Sequence, residues 1–287
     1  MHLFFIIIIF SFFFLLLRDG NKEKTTLSRI KEDNQQMSHE ITENKKKEFP
    51  YLLGKWFSLI DYINEDYLGG PHFIKLAHVI NFQKGASLIV CLLMMKKSGN
   101  YSATATTYTA LHGGYGLCWL LKELIFPDAK WQKKITLGSA IAIFLSVLGP
   151  YWYIAYNAIM KHPEHSNISL CMAIIVFQIG LSLMMGSDCQ KYFVLKKEKG
   201  LITDGFFSRI RHPNYLGEML IYGSFAFVSK DIRSFGVLAW VWVGIFVPYI
   251  LRKEHRMSRH KGWHAYTLRS GLLLPRLFPS KECSGAC

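Results

Sequence analysis

Three groups of residues combine reactive side chains with helical spacing. Pro213 suits the first turn of a helix, where its missing N–H costs nothing. Counting from it, Asn214, Glu218 and Tyr222 fall at i, i+4 and i+8 and share one helical face. Asp188, Lys191 and Tyr192 share the end of the preceding apolar segment in the same way. Carboxylates, an amide and phenols just inside apolar segments are expensive to bury and therefore mark a candidate binding site. The second group is the tail, where Arg252, His255 and Arg259 recur at helical spacing and Trp263 and Tyr266 follow. Guanidinium groups take phosphates in bidentate fashion, and aromatic rings stack on a base. The third group is the polar cluster within residues 107–126, where His112, Tyr115 and Glu123 fall on one helical face and supply proton donors and acceptors.

Each group has a plainer alternative. Asp188 and Glu218 could mark a membrane interface, paired with Lys191 and Arg211. The basic tail could be an amphipathic helix on anionic lipid. Gly113, Gly114 and Gly116 leave room either for a flat ligand or for a neighbouring helix. Lys122 beside Glu123 reads equally as an interfacial ion pair. Lys84 is an unexplained charge within an apolar run: either it faces the same cavity or a segment boundary falls there.

The elements that must position these residues follow from composition. The 287 residues are 51% hydrophobic and 19% charged, with 34 Lys and Arg against 20 Asp and Glu. This excess of apolar residues argues against disorder and for a membrane protein. The basic residues sit in short blocks between apolar runs and form no continuous stripe, which argues against a nucleic-acid partner and for loops flanking membrane helices. Six cysteines without a C-x-x-C make a zinc site or disulfide framework unexpected.

Residues 1–17 form an apolar anchor that is short for a bilayer span, and residues 18–48 a polar linker too poor in apolar side chains to fold. Residues 49–287 are read as one membrane-embedded domain. Its first segment, 49–70, is aromatic-rich yet interrupted by charges, as in a helix lying in the interface. Apolar segments follow at 74–95, 107–126, 135–160, 168–187, 213–229 and 234–251. With the anchor they give an all-α integral membrane protein of about seven helices, since a backbone in hydrocarbon must satisfy its own hydrogen bonds. In that arrangement the connections on one side carry 26 Lys and Arg against 5 on the other. The asymmetry places the loop 188–212 and the basic C-terminal segment in the cytosol, and the sequons at Asn100 and Asn167 in the lumen.

The Gly-Leu-Ile-Thr-Asp-Gly-Phe-Phe segment (200–207), the Arg-His-Pro-Asn-Tyr-Leu-Gly-Glu core (211–218) and the tail with Trp263, Tyr266 and Pro275 resemble the C-terminal domain of the steroid 5-alpha-reductase superfamily, especially its uncharacterised multispan branch. The core is also similar to isoprenylcysteine carboxyl methyltransferases and phospholipid methyltransferases. The resemblance covers residues 180–278. Asn214, Tyr215 and Glu218 match the Asn-Tyr-x-x-acidic pattern of the reductases, and Asp188 matches their acidic residue at the end of the preceding span.

The resemblance implies an NADPH-dependent reductase of a carbon–carbon double bond in a hydrophobic enone or enoyl lipid, steroid-like substrates included, in the endoplasmic reticulum membrane. It implies that Asp188, Asn214, Tyr215 and Glu218 bind the dinucleotide, with Arg252, His255 and Tyr266 closing over it. Lys191, Lys196 and Arg211 are candidates for the 2′-phosphate. The proton donor is expected upstream, where His112, Tyr115 and Glu123 form the polar cluster. The alternative is an S-adenosylmethionine-dependent methyltransferase of a lipid or prenylated cysteine. A non-catalytic lipid-binding protein is the third possibility, in which that cluster serves packing alone.

Overall fold

The computed structural model describes residues 51–276. The expected anchor and linker, and Cys283 and Cys287, lie outside the described residues. The described chain is mostly helical: α1 (Tyr51–Glu65), α2 (Leu76–Ser98), α3 (Ala103–Ile125), α4 (Leu137–Met160), α5 (Asn167–Lys197), α6 (Pro213–Ser229), α7 (Ile232–Met257) and α8 (Trp263–Arg269). Local chemistry sets the ends. Ser102, Thr136, Ser166 and Asp231 cap α3, α4, α5 and α7 by accepting from backbone N–H groups. Gly99 ends α2 in the left-handed region at φ 65°. A short antiparallel pair, β1 (Ile74–Lys75) with β2 (Lys134–Ile135), ties the start of α2 to the chain entering α4.

Four helices, α2, α4, α5 and α7, are long and apolar enough to cross a membrane, and the chain is an integral membrane protein. Their flanks carry exposed apolar side chains such as Leu93, Leu145 and Val243. The other two segments expected as spans are helices of a different character. α3 has 23 residues but carries Thr104, Thr109, His112 and Lys122 on its buried side. α6 has 17 residues and lies inside the bundle with most of its side chains buried. The 188–212 loop is shorter than expected, because α5 continues through its basic end to Lys197.

α5 and α6 pack closest. A Cβ on Gly180 would come within 2.7 Å of the Gly217 carbonyl oxygen, and one on Gly217 within 2.6 Å of the Gly180 carbonyl oxygen. Only glycine allows that approach. α4 and α7 each contain one π turn, Phe144–Leu148 and Trp242–Phe246. Trp240 Nε1 donates across to the Ser146 carbonyl at 2.9 Å.

The connections sort into two ends. At one, Asn100 Nδ2 donates to the Ile159 carbonyl at 2.7 Å and Lys161 pairs with Asp231 at 2.8 Å. Asn100 is buried by that bond, so this sequon is occupied structurally, whereas Asn167 is exposed. At the other end Lys191 pairs with Asp128 at 2.8 Å, and Arg252 joins α7 to α1 through Asp61 at 2.6 Å.

Candidate functional site

A cavity of about 410 Å³ opens at this second end, between α2, α4, α5, α6 and α7. Its outer part is polar and cationic, with Asp128, Lys130, Asp188, Lys191, Lys253 and Arg256 on its walls. Its inner part is aliphatic and aromatic, with Ile143, Leu148, Val241, Ile245, Trp119 and Tyr151. Both π turns contribute wall residues, Val147 and Leu148 from α4 and Ile245 and Phe246 from α7. A π turn adds a residue to the helical turn and occurs often at functional sites.

Of the residues singled out from sequence, Asp188, Lys191, Asn214, Tyr215 and Glu218 line this one cavity. Asn214, Glu218 and Tyr222 run along one stripe of α6, as their spacing requires, and all three line it. Lys84 lines it too, with its ammonium bonded to the Tyr222 hydroxyl.

Four expected cofactor residues sit elsewhere. Arg211 Nε bonds both Glu254 oxygens at 3.0 Å, and its Nη1 donates to the Ser270 carbonyl at 2.7 Å. Arg252 is held by Asp61 and by the Phe57 carbonyl at 2.6 Å. His255 Nε2 lies 3.0 Å from Arg259 Nη2. The Tyr266 hydroxyl donates to the Phe207 carbonyl at 2.7 Å. These bonds fasten the tail to the bundle: the Arg211 and His212 N–H groups donate to the Gly271 and Leu272 carbonyls. Cationic spacing in this tail therefore reports on latching, because local carboxylates and carbonyls have taken the donors that phosphates would need.

The upstream cluster also divides. Tyr115 is buried directly behind the cavity wall, its ring edge-on to Tyr222 at 5.7 Å, with the Lys84 ammonium 4.5 Å from its centroid. His112 lies in the packed interior, stacked on Phe225 at 4.7 Å, with Nδ1 3.0 Å from the Tyr108 hydroxyl. Glu123 accepts from Gln132 Nε2 at 2.5 Å at the end of α3, away from both. Eleven residues return a side chain to the same face but displace it by about 16 Å along the axis.

Residues not anticipated complete the site. Lys122 does not pair with Glu123; its ammonium meets Asp188 at 3.2 Å, with the Lys122 side chain 1% exposed. Asp188 also meets Lys191 at 3.2 Å. Lys191 is thus neutralised by Asp188 and Asp128, and Arg211 by Glu254, so neither candidate for the 2′-phosphate offers a free charge. Lys196, at the end of α5, is exposed and outside the cavity lining. Lys130, Lys253 and Arg256 reach the cavity without a carboxylate at salt-bridge distance among the described residues. The Lys130 ammonium lies 3.1 Å from the Tyr249 ring centroid, and that of Lys253 4.5 Å from that of Tyr215. Partial burial, then the nearby Lys253, Arg252 and Arg256 charges, outweigh Asp128 and push Lys130 down to about 7. Burial would raise the Asp128 carboxyl, but the Lys191 ammonium outweighs this, and the acid stands at about 2. Lys84 was visible as a charge inside an apolar run. Lys130 lies in the connection between α3 and α4 and Lys253 in α7; they share no spacing, so only the fold brings them together.

Residues 128–268 match the protein family described as "Protein of unknown function (DUF1295)", a membrane family related to the steroid 5-alpha-reductases. The match covers α5, α6, α7 and most of the cavity wall. An uncharacterised protein of Schizosaccharomyces pombe is 31% identical over 93 residues, which are 30% of this chain. The chain covers 27% of that relative's length.

Proposed function

We propose that the protein is a membrane-bound reductase that uses NADPH to saturate a carbon–carbon double bond in a hydrophobic enone or enoyl lipid. The observation that carries this reading is a single cavity with a cationic, hydrogen-bonding outer part and an aromatic, aliphatic inner part. A ligand with phosphates and an apolar co-substrate fit those two parts together. The related family and the Asn-Tyr-x-x-Glu core support the same choice.

The donor set fits a dinucleotide. Lys130, Lys253 and Arg256 would take its phosphates, with Arg offering bidentate contact. Asn214, Tyr215 and Asp188 present an amide, a phenol and a carboxylate to its sugar and amide groups. When bound, the cofactor supplies a hydride. The chain's residues then orient the lipid and keep water away: the inner wall excludes solvent, which strengthens each hydrogen bond made to a carbonyl there. The seven-span arrangement, with the cavity mouth and C-terminus cytosolic and the protein in the endoplasmic reticulum, completes the proposal and rests on the Lys and Arg asymmetry.

One observation favours a second reading. The carboxylate of Glu218 faces the cavity with no carboxylate-to-cation contact under 4 Å among the described residues, and such a group suits the sulfonium of S-adenosylmethionine in a lipid methyltransferase. The experiment that separates them is an assay of purified protein in lipid nanodiscs with long-chain enones. NADPH oxidation coupled to loss of the double bond supports the first; transfer of a labelled methyl group from S-adenosylmethionine supports the second.

A further inference from the structure

A second hollow, an open groove of about 350 Å³, runs between α2 and α4. Val79 and Phe82 of α2 and Ile141, Phe144 and Leu145 of α4 line it, and His78 is its one polar wall residue. It shares these helices with the cavity but no residue: Val79 lines the groove and Ile80 the cavity, Leu145 the groove and Val147 the cavity. The two hollows therefore lie back to back, and the groove is on the outer side. Phe82 and Leu145 remain 63% and 66% exposed, so the packed chain itself leaves the groove uncovered. Both helices are long and apolar enough to cross a membrane, so acyl chains are what the groove meets along its length.

The start of the groove carries uncompensated charge. Lys75, the residue before α2, is in register with Lys134 in the β1–β2 pair. Directly opposite residues of an antiparallel pair point to the same face, and like charges there destabilise the pairing unless something neutralises them. The neighbouring Lys133 has Glu65 as its partner. Among the described residues, Lys75 and Lys134 have no carboxylate within 4 Å and no side-chain hydrogen bond, and the His78 ring has none either. Lys75, His78 and Phe82 fall at i, i+3 and i+7, a stripe that runs from ammonium through imidazole to phenyl ring. Phe82 lies about 9 Å along the axis from the start of α2, so the stripe leads from the water boundary into the apolar length of the helix.

We infer that this groove binds an anionic phospholipid, with its phosphate on Lys75 and Lys134 and one acyl chain along Val79, Phe82 and Leu145. Lysine stems lie along apolar surface while their ammonium groups stay at headgroup level. Their bonds to a phosphate are charge-assisted, and His78 adds a ring nitrogen at the same level. An anion between the two lysines also removes the repulsion across the strand pair. A sterol would cover the apolar walls and leave that repulsion in place. The inference is independent of the reductase reading, because no residue of the groove belongs to the cavity.

The test is native mass spectrometry of the delipidated full chain in detergent, titrated with dioleoyl phosphatidic acid, dioleoyl phosphatidylcholine or cholesterol. Phosphatidic acid should bind about tenfold more tightly than phosphatidylcholine, or better. Replacing both lysines, Lys75→Gln with Lys134→Gln, should remove most of that advantage. Lys197→Gln with Lys199→Gln, the same loss of charge at the same end but away from the groove, should leave it unchanged. Ile141→Trp, which fills the groove from a position 51% exposed, should weaken the binding of both phospholipids. Equal affinity for the two phospholipids, equal losses in the two double variants, or undiminished binding to Ile141→Trp would overturn the inference. Cholesterol binding that phosphatidic acid does not displace, or a dimer that Ile141→Trp dissociates, would overturn it in favour of a sterol or a second copy of the chain.

Discussion

Lys122 of α3 and Asp188 of α5 meet at 3.2 Å beside the cavity, with the lysine side chain almost wholly buried. This pair joins the upstream helices to the half of the chain that carries the Asn-Tyr-x-x-Glu core. Removing only the carboxylate strands a buried cation, which typically costs about 3–5 kcal/mol. Asp188→Ala should therefore lower the stability of the detergent-solubilised protein by about 3 kcal/mol. Lys122→Met leaves Asp188 with Lys191 and should cost about 1 kcal/mol or less. Thermal unfolding of the two variants side by side checks the difference.

The α5–α6 crossing gives a second contrast. A methyl group at Gly217 would press on the Gly180 carbonyl and the Met184 backbone, both at 2.6 Å. Overpacking of this kind costs about 1–3 kcal/mol. Gly223, on the same helix, has nothing within 4 Å of a would-be Cβ, and alanine there should be neutral or stabilise by about 0.5 kcal/mol. Melting temperatures of Gly217→Ala and Gly223→Ala should move in opposite directions, or the second should not move.

His212, just before α6, is buried with Nε2 2.8 Å from Glu254. Burial pushes its imidazole below the ordinary value, although Glu254 pulls the other way. The unfolded chain then takes up a proton before the folded one, so the stability held by the neutral ring is complete above about pH 6.5 and lost as pH falls below it. Stability should decline between pH 7 and 5, and His212→Asn should flatten that decline. Unfolding curves across this range test it.

Lys130, pushed down to about 7, makes anion binding proton-linked. A phosphate favours its charged form, so NADPH affinity should be steady below pH 7 and weaken above it, by at most about tenfold per unit. Lys130→Arg should reduce the dependence, and Arg256→Ala should weaken binding at every pH. Titration calorimetry at pH 6, 7 and 8 gives the slope.

Much of the architecture is legible in the sequence because apolar length and caps are local properties. Pro213 marks the start of α6, and the apolar runs mark the four helices able to cross a membrane. α5 was harder: its last turns carry Lys191, Lys196 and Lys197, and a basic run reads as loop even where the helix persists. At the cavity, residues on one stripe, such as Asn214, Glu218 and Tyr222, follow from spacing alone. Depth does not, which is why Glu123 ends far from His112. Contacts between distant segments do not either: Glu254 takes Arg211, Asp61 takes Arg252, and Lys130 meets Tyr249 only once the bundle has formed.

The central claim is that the cavity binds a phosphorylated dinucleotide. Its most direct test is thermal unfolding of the purified full chain with NADPH, NADH or S-adenosylmethionine, since a ligand that binds only the folded state raises its apparent stability. The account predicts a rise with NADPH that exceeds the rise with NADH and is diminished in Arg256→Ala. A rise with S-adenosylmethionine and none with NADPH would contradict it.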